Sequence, residues 1–169
     1  KIDDIRKRID VDVNRRNGVS EASAKEAVSI FVQIPSLYAE KIECAVNAET
    51  VEIRALECDS IELDIKTPDV ILKDVIGTVE INCNLDMEVI CHSLQGEVAI
   101  NQVSATSKIY LPEGTAFAAV TKGVGTSISY EKSGQKVEPF AVPEADNLIE
   151  LNGIKSELVI CMGQQKMGG

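Results

Sequence analysis

Short apolar-x-apolar triplets recur through the middle of the chain: Ile42-Glu43-Cys44, Val51-Glu52-Ile53, Ile61-Glu62-Leu63, Val70-Ile71-Leu72, Val79-Glu80-Ile81, Val89-Ile90-Cys91, Val98-Ala99-Ile100 and Ile109-Tyr110-Leu111. Each reads as a short strand whose outer two side chains share one face. Successive triplets start 9, 10, 9, 9, 10, 9 and 11 residues apart, so every second one returns after 18 to 20 residues. A fixed period of this kind marks a repeat architecture. Phe117 lies 19 residues after Val98 and Ile128 lies 19 after Ile109, which carries the two series to about five turns. The pattern therefore predicts an all-β chain: a single-stranded β-helix, or β-solenoid, with two strands per turn, capped by terminal strands.

In such a winding Ile42, Ile61, Val79 and Val98 form one interior column, and Val51, Val70, Val89 and Ile109 form the column on the opposite wall. β-branched side chains suit both, because they pack well on a pleated surface. Gly77 and Gly96 stand just before equivalent strands, where the bend disfavours a side chain. Asn47, Thr67-Pro68-Asp69, Asn84 to Asp86 and Ser104 to Ser107 supply turn residues at the other corner. No segment of helical period separates the strands, which argues against a βαβ fold.

The ends depart from the repeat, as solenoids require. Residues 9–13 and 30–34 alternate and are expected as strands, with Val32 placed 19 residues before Val51, and Arg15 to Glu26 as a loop or short helix between them. Tyr130 to Val137 is expected as a hairpin. Leu148 to Leu151 and Glu157 to Cys161, about an Asn152-Gly153 turn, are expected to cap the C-terminal end. The expected organisation is one domain over 1–169: N-terminal strands and cap in 1–40, regular repeats in 41–131, a C-terminal cap in 132–162, and a frayed Gly-rich tail in 163–169. Lys1 stands first, so an anchor or signal ahead of it is left open.

Several of these segments resemble bacterial adhesin-like domains of unknown function built from repeated short β-strands. Val28 to Pro35, followed by Lys41-Ile-Glu-Cys-Ala-Val and Thr50-Val-Glu-Ile, is similar to a strand ending in Pro, a further strand, a small turn and the next rung. Ile76-Gly-Thr-Val-Glu-Ile and Leu94-Gln-Gly-Glu-Val-Ala-Ile resemble the recurring rung motif, and Val103 to Pro112 the late strand that ends in Pro. The likeness runs from about Val28 to Glu131, with Thr78 in place of the usual acid and no Gly at Asn47-Ala48 or Cys58-Asp59. It implies a β-solenoid with cell-surface or envelope association, and carries over no catalytic residue.

Composition narrows the partners. Lys and Arg number 17 against 27 Asp and Glu, a net charge of -10 that repels a phosphate backbone and argues against nucleic acid. No run approaches the roughly 20 apolar residues of a membrane helix, so no membrane insertion is expected. Aromatics are only 4%, without Trp, so the core must be aliphatic. Cys44, Cys58, Cys83, Cys91 and Cys161 are odd in number and unclustered, which reads as reduced core thiols rather than a metal site. Cys44, Cys83 and Cys91 fall at inward positions.

The single histidine, His92, adjoins inward-facing Cys91 and so projects to the other side, which removes a Cys/His nucleophile pair. HExxH, GxSxG and P-loop patterns do not occur, and no catalytic, cofactor-binding or metal-ligating residues, and no cofactor, are assigned. The candidate functional face is an outer column, Glu43, Glu62 and Glu80, flanked by Asp64, Asn82 and Asn101. Stacked strands bring such side chains to about 5 Å, where like charges repel and a cation or basic partner is favoured. The expected function is a non-enzymatic interaction domain of a bacterial envelope-associated protein, with a protein or glycan surface partner and a route to homo-oligomers through the solenoid edges. The alternatives are an intracellular, cytoplasmic sensory or regulatory module of the envelope-stress response, and a carbohydrate-active β-helix enzyme using Glu62 or Glu80.

Overall fold

The computed structural model describes residues 29–35 and 39–163, with residues 2–3, 8–9, 18, 20 and 22. The expected strand 9–13, the polar stretch 15–26 and the tail beyond Gly163 lie, apart from isolated positions, outside the described residues. Two short strands, β1 (Ile2–Asp3) and β2 (Arg8–Ile9), pair antiparallel.

The rest is one eleven-stranded mixed sheet that curls on itself. It comprises β3 (Lys41–Val46), β4 (Thr50–Ile65), β5 (Asp69–Asn82), β6 (Met87–Cys91), β7 (Gln95–Val103), β8 (Thr106–Leu111), β9 (Ala118–Val124), β10 (Ser127–Lys132), β11 (Gln135–Val137), β12 (Leu148–Ile154) and β13 (Glu157–Met162). The long strands β4 and β5 bend midway, so that each contributes to two flanks. Ala55 and Asp74, at φ of 51° and 54°, stand at those bends, and the β4–β5 register shifts between Cys58 and Ser60. The first flank holds β3, the later halves of β4 and β5, then β7, β12 and β9. The second holds the earlier halves of β4 and β5, then β6, β8, β13, β10 and β11. Every pairing in this sheet is parallel except β10 with β11.

Registers follow the repeat through the first four levels. Ile42, Ile61, Val79 and Val98 stand in one column, with Cys44, Leu63, Ile81 and Ile100 beside it. Val51, Val70, Val89 and Ile109 stand in the facing column. Both flanks send these side chains into one core cluster.

Beyond Ile100 and Leu111 the order of strands departs from the order of the chain. β12 lies between β7 and β9, and β13 lies between β8 and β10. The segment expected to cap the end is therefore threaded one level inward, as a full level with strands on both sides. Ile149, Leu151, Leu158 and Ile160 are all fully buried there. The level formed by β9 and β10 is shifted as a result: Ala119 rather than Phe117 continues the column of Val98 and Ile149, and Tyr130 rather than Ile128 continues that of Ile109 and Ile160. Phe117 is buried nonetheless, edge-on to Phe140, which is edge-on to Tyr130. Half of the chain's six Phe and Tyr residues thus close this end of the core.

Two further expectations change and a third holds. β12 runs straight through Asn152-Gly153, and the reversal falls at Lys155, at φ 50°. Residues 30–34 form no strand, and Phe31 is 86% exposed, although Ile34 packs against the core. The hairpin is present: Ser133 and Gly134, both at positive φ, join β10 to β11, as a two-residue turn between right-twisted strands requires.

Gly77 and Gly96 stack at one bend with φ of 127° and 123°. A Cβ on Gly96 would run into the backbone carbonyl of Gly77, and one on Gly77 into that of Cys58. Gly96→Ala is expected to cost at least about 2 kcal/mol, since it combines a Gly-only backbone with a clash that no side-chain motion relieves. The midpoint of chemical unfolding measures it.

Candidate functional site

The outer face of the first flank is built by the same registers as its core. Glu43, Glu62 and Glu80 stack as the repeat predicts, and the column continues through Ala99 and Glu150 to Val120. Two residues along each strand, Ala45, Asp64, Asn82, Asn101, Asn152 and Lys122 form a second column.

These side chains form a continuous polar chain across the strands. Asn82 Nδ2 donates to Asp64 Oδ1 at 2.8 Å, and Asn101 Nδ2 donates to Asn82 Oδ1 and to Glu80 Oε1, both at 2.6 Å. Asn152 Nδ2 donates to Asn101 Oδ1 at 3.0 Å and to Glu150 Oε1 at 2.7 Å. Lys122 closes the chain on the other oxygen of Glu150. The expected stack of repelling carboxylates is thus relieved: Glu80 accepts from Asn101, and Glu43 pairs with Lys41 at 2.7 Å. Among the described residues no group of three or more His, Cys, Asp or Glu is placed to hold a metal ion.

Glu150 is only 7% exposed. Burial pushes its carboxyl upward, but the hydrogen bonds from Lys122 and Asn152 and the Lys122 charge outweigh it and hold the group below its ordinary 4.5. A carboxyl lowered in the folded state adds stability above its unfolded value, and that contribution disappears as pH falls through the folded value. Lys122→Met is therefore expected to cost about 1 kcal/mol at neutral pH, a modest figure because water screens the lysine. The gap between the variant and the parent should close as pH drops below about 4.5, which urea titrations at several pH values will follow.

A shallow groove of about 610 Å³ follows this chain, lined by Asp64, Lys66, Asn82, Asn101, Asn152 and Ile154 among others. Val103 and Ile154 line its border with outward side chains, and Val124 continues their stack in register beyond it. Asp64, Asn82 and Asn101 were legible from the repeat. Lys122, Glu150 and Asn152 were not, because β12 enters the ladder out of chain order and Asn152-Gly153 carries the signature of a turn.

The remaining candidates stay apart. Cys91 is buried and His92 exposed, as their alternation predicts. All five cysteines are unpaired; Cys58, Cys83, Cys91 and Cys161 are buried and Cys44 half-buried. Burial pushes the Cys91 thiol up to about 12. Cys161 lies outside the main core, against Tyr110 and Val159 on the outer side of the second flank. Burial and then the nearby Glu131 charge push its thiol to about 12 as well, so both resist forming thiolates. Among the described residues no helix is long and apolar enough to cross a membrane.

The chain matches no known protein family, no curated protein and no solved structure.

Proposed function

We propose that the chain is a β-solenoid that works as a non-enzymatic interaction domain of a bacterial envelope-associated protein, with the outer face of the first flank as its contact surface. Parallel pairings between residues 18 to 20 positions apart, from Ile42 to Ile109, support the solenoid reading, with the C-terminal pair of strands as an inserted turn. The observation that carries the function is the hydrogen-bonded run from Asp64 to Asn152 along an open groove, continued beyond it by Glu150 and Lys122. It fixes polar atoms at one strand spacing, about 4.8 Å, on a rigid wall, so a partner meets a surface whose ordering cost is already met by folding. The adhesin-like resemblance of Val28 to Glu131 points the same way.

Five unpaired thiols favour a second reading, a regulatory module in a reducing compartment. Location separates the two. Source cells are fractionated and intact cells are treated with protease: digestion from outside supports the surface domain, and protection in the soluble fraction supports the regulator. A carbohydrate-active enzyme ranks behind both. Turnover of any polysaccharide that is lost in Glu62→Gln or Glu80→Gln would promote it.

A further inference from the structure

We propose that the groove on the first flank binds a neutral, linear, β-linked glycan laid across the strands, one sugar ring per strand. This rests on the interaction-domain reading and names its ligand class.

The interior strands set the first condition. β7 is paired on both sides, by β5 and β12, and β12 by β7 and β9, so no peptide can add to the sheet there through its backbone. A ligand in the groove is read by side chains alone.

Those side chains present acceptors. The Nδ2 groups of Asn101 and Asn152 each donate twice within the row, which leaves outward capacity on the oxygens of Asp64, Asn82, Asn101 and Asn152. Each such oxygen takes two hydrogen bonds, and Asn152 Oδ1 takes none from the described residues. The matching ligand is rich in hydroxyl donors repeated at the strand spacing. An extended β-1,4-linked chain of six-membered sugars advances by about one such spacing per ring.

Beside the acceptors runs an apolar border: Val103, Ile154 and Val124 are 48%, 50% and 74% exposed and stacked in register. A sugar ring offers C–H faces to such a border while its hydroxyl edge meets the row. Charge selects among glycans. Lys66 lines the groove, but Asp64 two residues before it, Glu80 beside the row and a net charge of -10 offset it, and Lys122 is committed to Glu150, so a polyanionic chain is disfavoured.

The test is calorimetric titration of the full chain with xylo-, cello- and chito-oligosaccharides of two to six rings, with polygalacturonate as the acidic comparison. Affinity is expected to climb with length until the ligand spans the strands from Asp64 to Asn152, then to level off. Ile154→Ser, outside the hydrogen-bonded row, should weaken the best ligand about tenfold, the value of one good contact. Asn82→Ser should do the same, and thermal melting verifies that both variants remain folded. No binding of any neutral oligosaccharide at millimolar concentration, preference for the polyanion, or affinity indifferent to both variants would overturn the proposal. If glycans fail but the domain still adheres to envelopes of the source cells, and Ile154→Ser abolishes this, the ligand class is wrong and the interaction reading stands. If adhesion is also absent, both fall.

Discussion

Deletion of residues 148–163 is expected to leave a chain that does not fold cooperatively. That segment holds β12 and β13, and its removal takes four fully buried aliphatic side chains out of the middle of the core, Ile149, Leu151, Leu158 and Ile160. Each contributes about 1.5–3 kcal/mol by burial, and the four together approach the whole stability of a small domain, about 5–15 kcal/mol. The deletion also strips a parallel neighbour from β7, β8, β9 and β10 at once. Circular dichroism should show loss of sheet signal and a featureless urea titration. Restoration of the signal by a peptide spanning 148–163 would tie the loss to the missing level. A truncated chain that still unfolds cooperatively would mean that β9 and β10 can close directly on β7 and β8, in the register that the 19-residue spacing from Val98 to Phe117 suggests.

Ile81→Asp is the second large effect. Ile81 is fully buried between Leu63 and Ile100, so an aspartate there faces only aliphatic neighbours from both adjacent strands. It must either leave a charge unpaired or bind a proton, and the expected cost is about 4–5 kcal/mol or more. Glu80, one residue earlier, lies on the outer face, where its tie is the hydrogen bond from Asn101. Glu80→Lys should therefore cost about 1 kcal/mol. Chemical unfolding of the two proteins in parallel checks this, and equal losses would overturn the assignment of Ile81 inward and Glu80 outward.

The contrast between these two predictions separates what the sequence makes legible from what it hides. From Ile42 to Leu111, strands adjacent in the chain's repeat are adjacent in space, so a spacing of 18 to 20 residues translates directly into register. The inward columns, the outward Glu43–Glu62–Glu80 column and the neighbouring Asp64–Asn82–Asn101 column all follow from that single rule. It fails at Phe117 because the neighbour of β9 is β12, which arrives some thirty residues later after residues 138–147 have crossed the aromatic end. Periodicity sees only successive segments, and an inserted pair of strands leaves no mark in the spacing. The same blindness hid Glu150, Asn152 and Lys122. At the other end, 30–34 has the alternation and spacing of a strand, yet it lacks a partner ladder, and alternation alone does not supply hydrogen bonds.

The inserted level also fixes how the molecule bears load. β13 runs parallel to β8 on one side and to β10 on the other, with six residues in register on each. Hydrogen bonds in such ladders lie across the strand direction, so a pull along β13 from Met162 strains both rows together instead of opening them singly from one end. A strand at an outer edge peels; this one must be drawn out of a sheath. Tension applied at β13 is thereby spread through β8 and β10 into the body of the sheet, and β13 becomes its mechanical anchor.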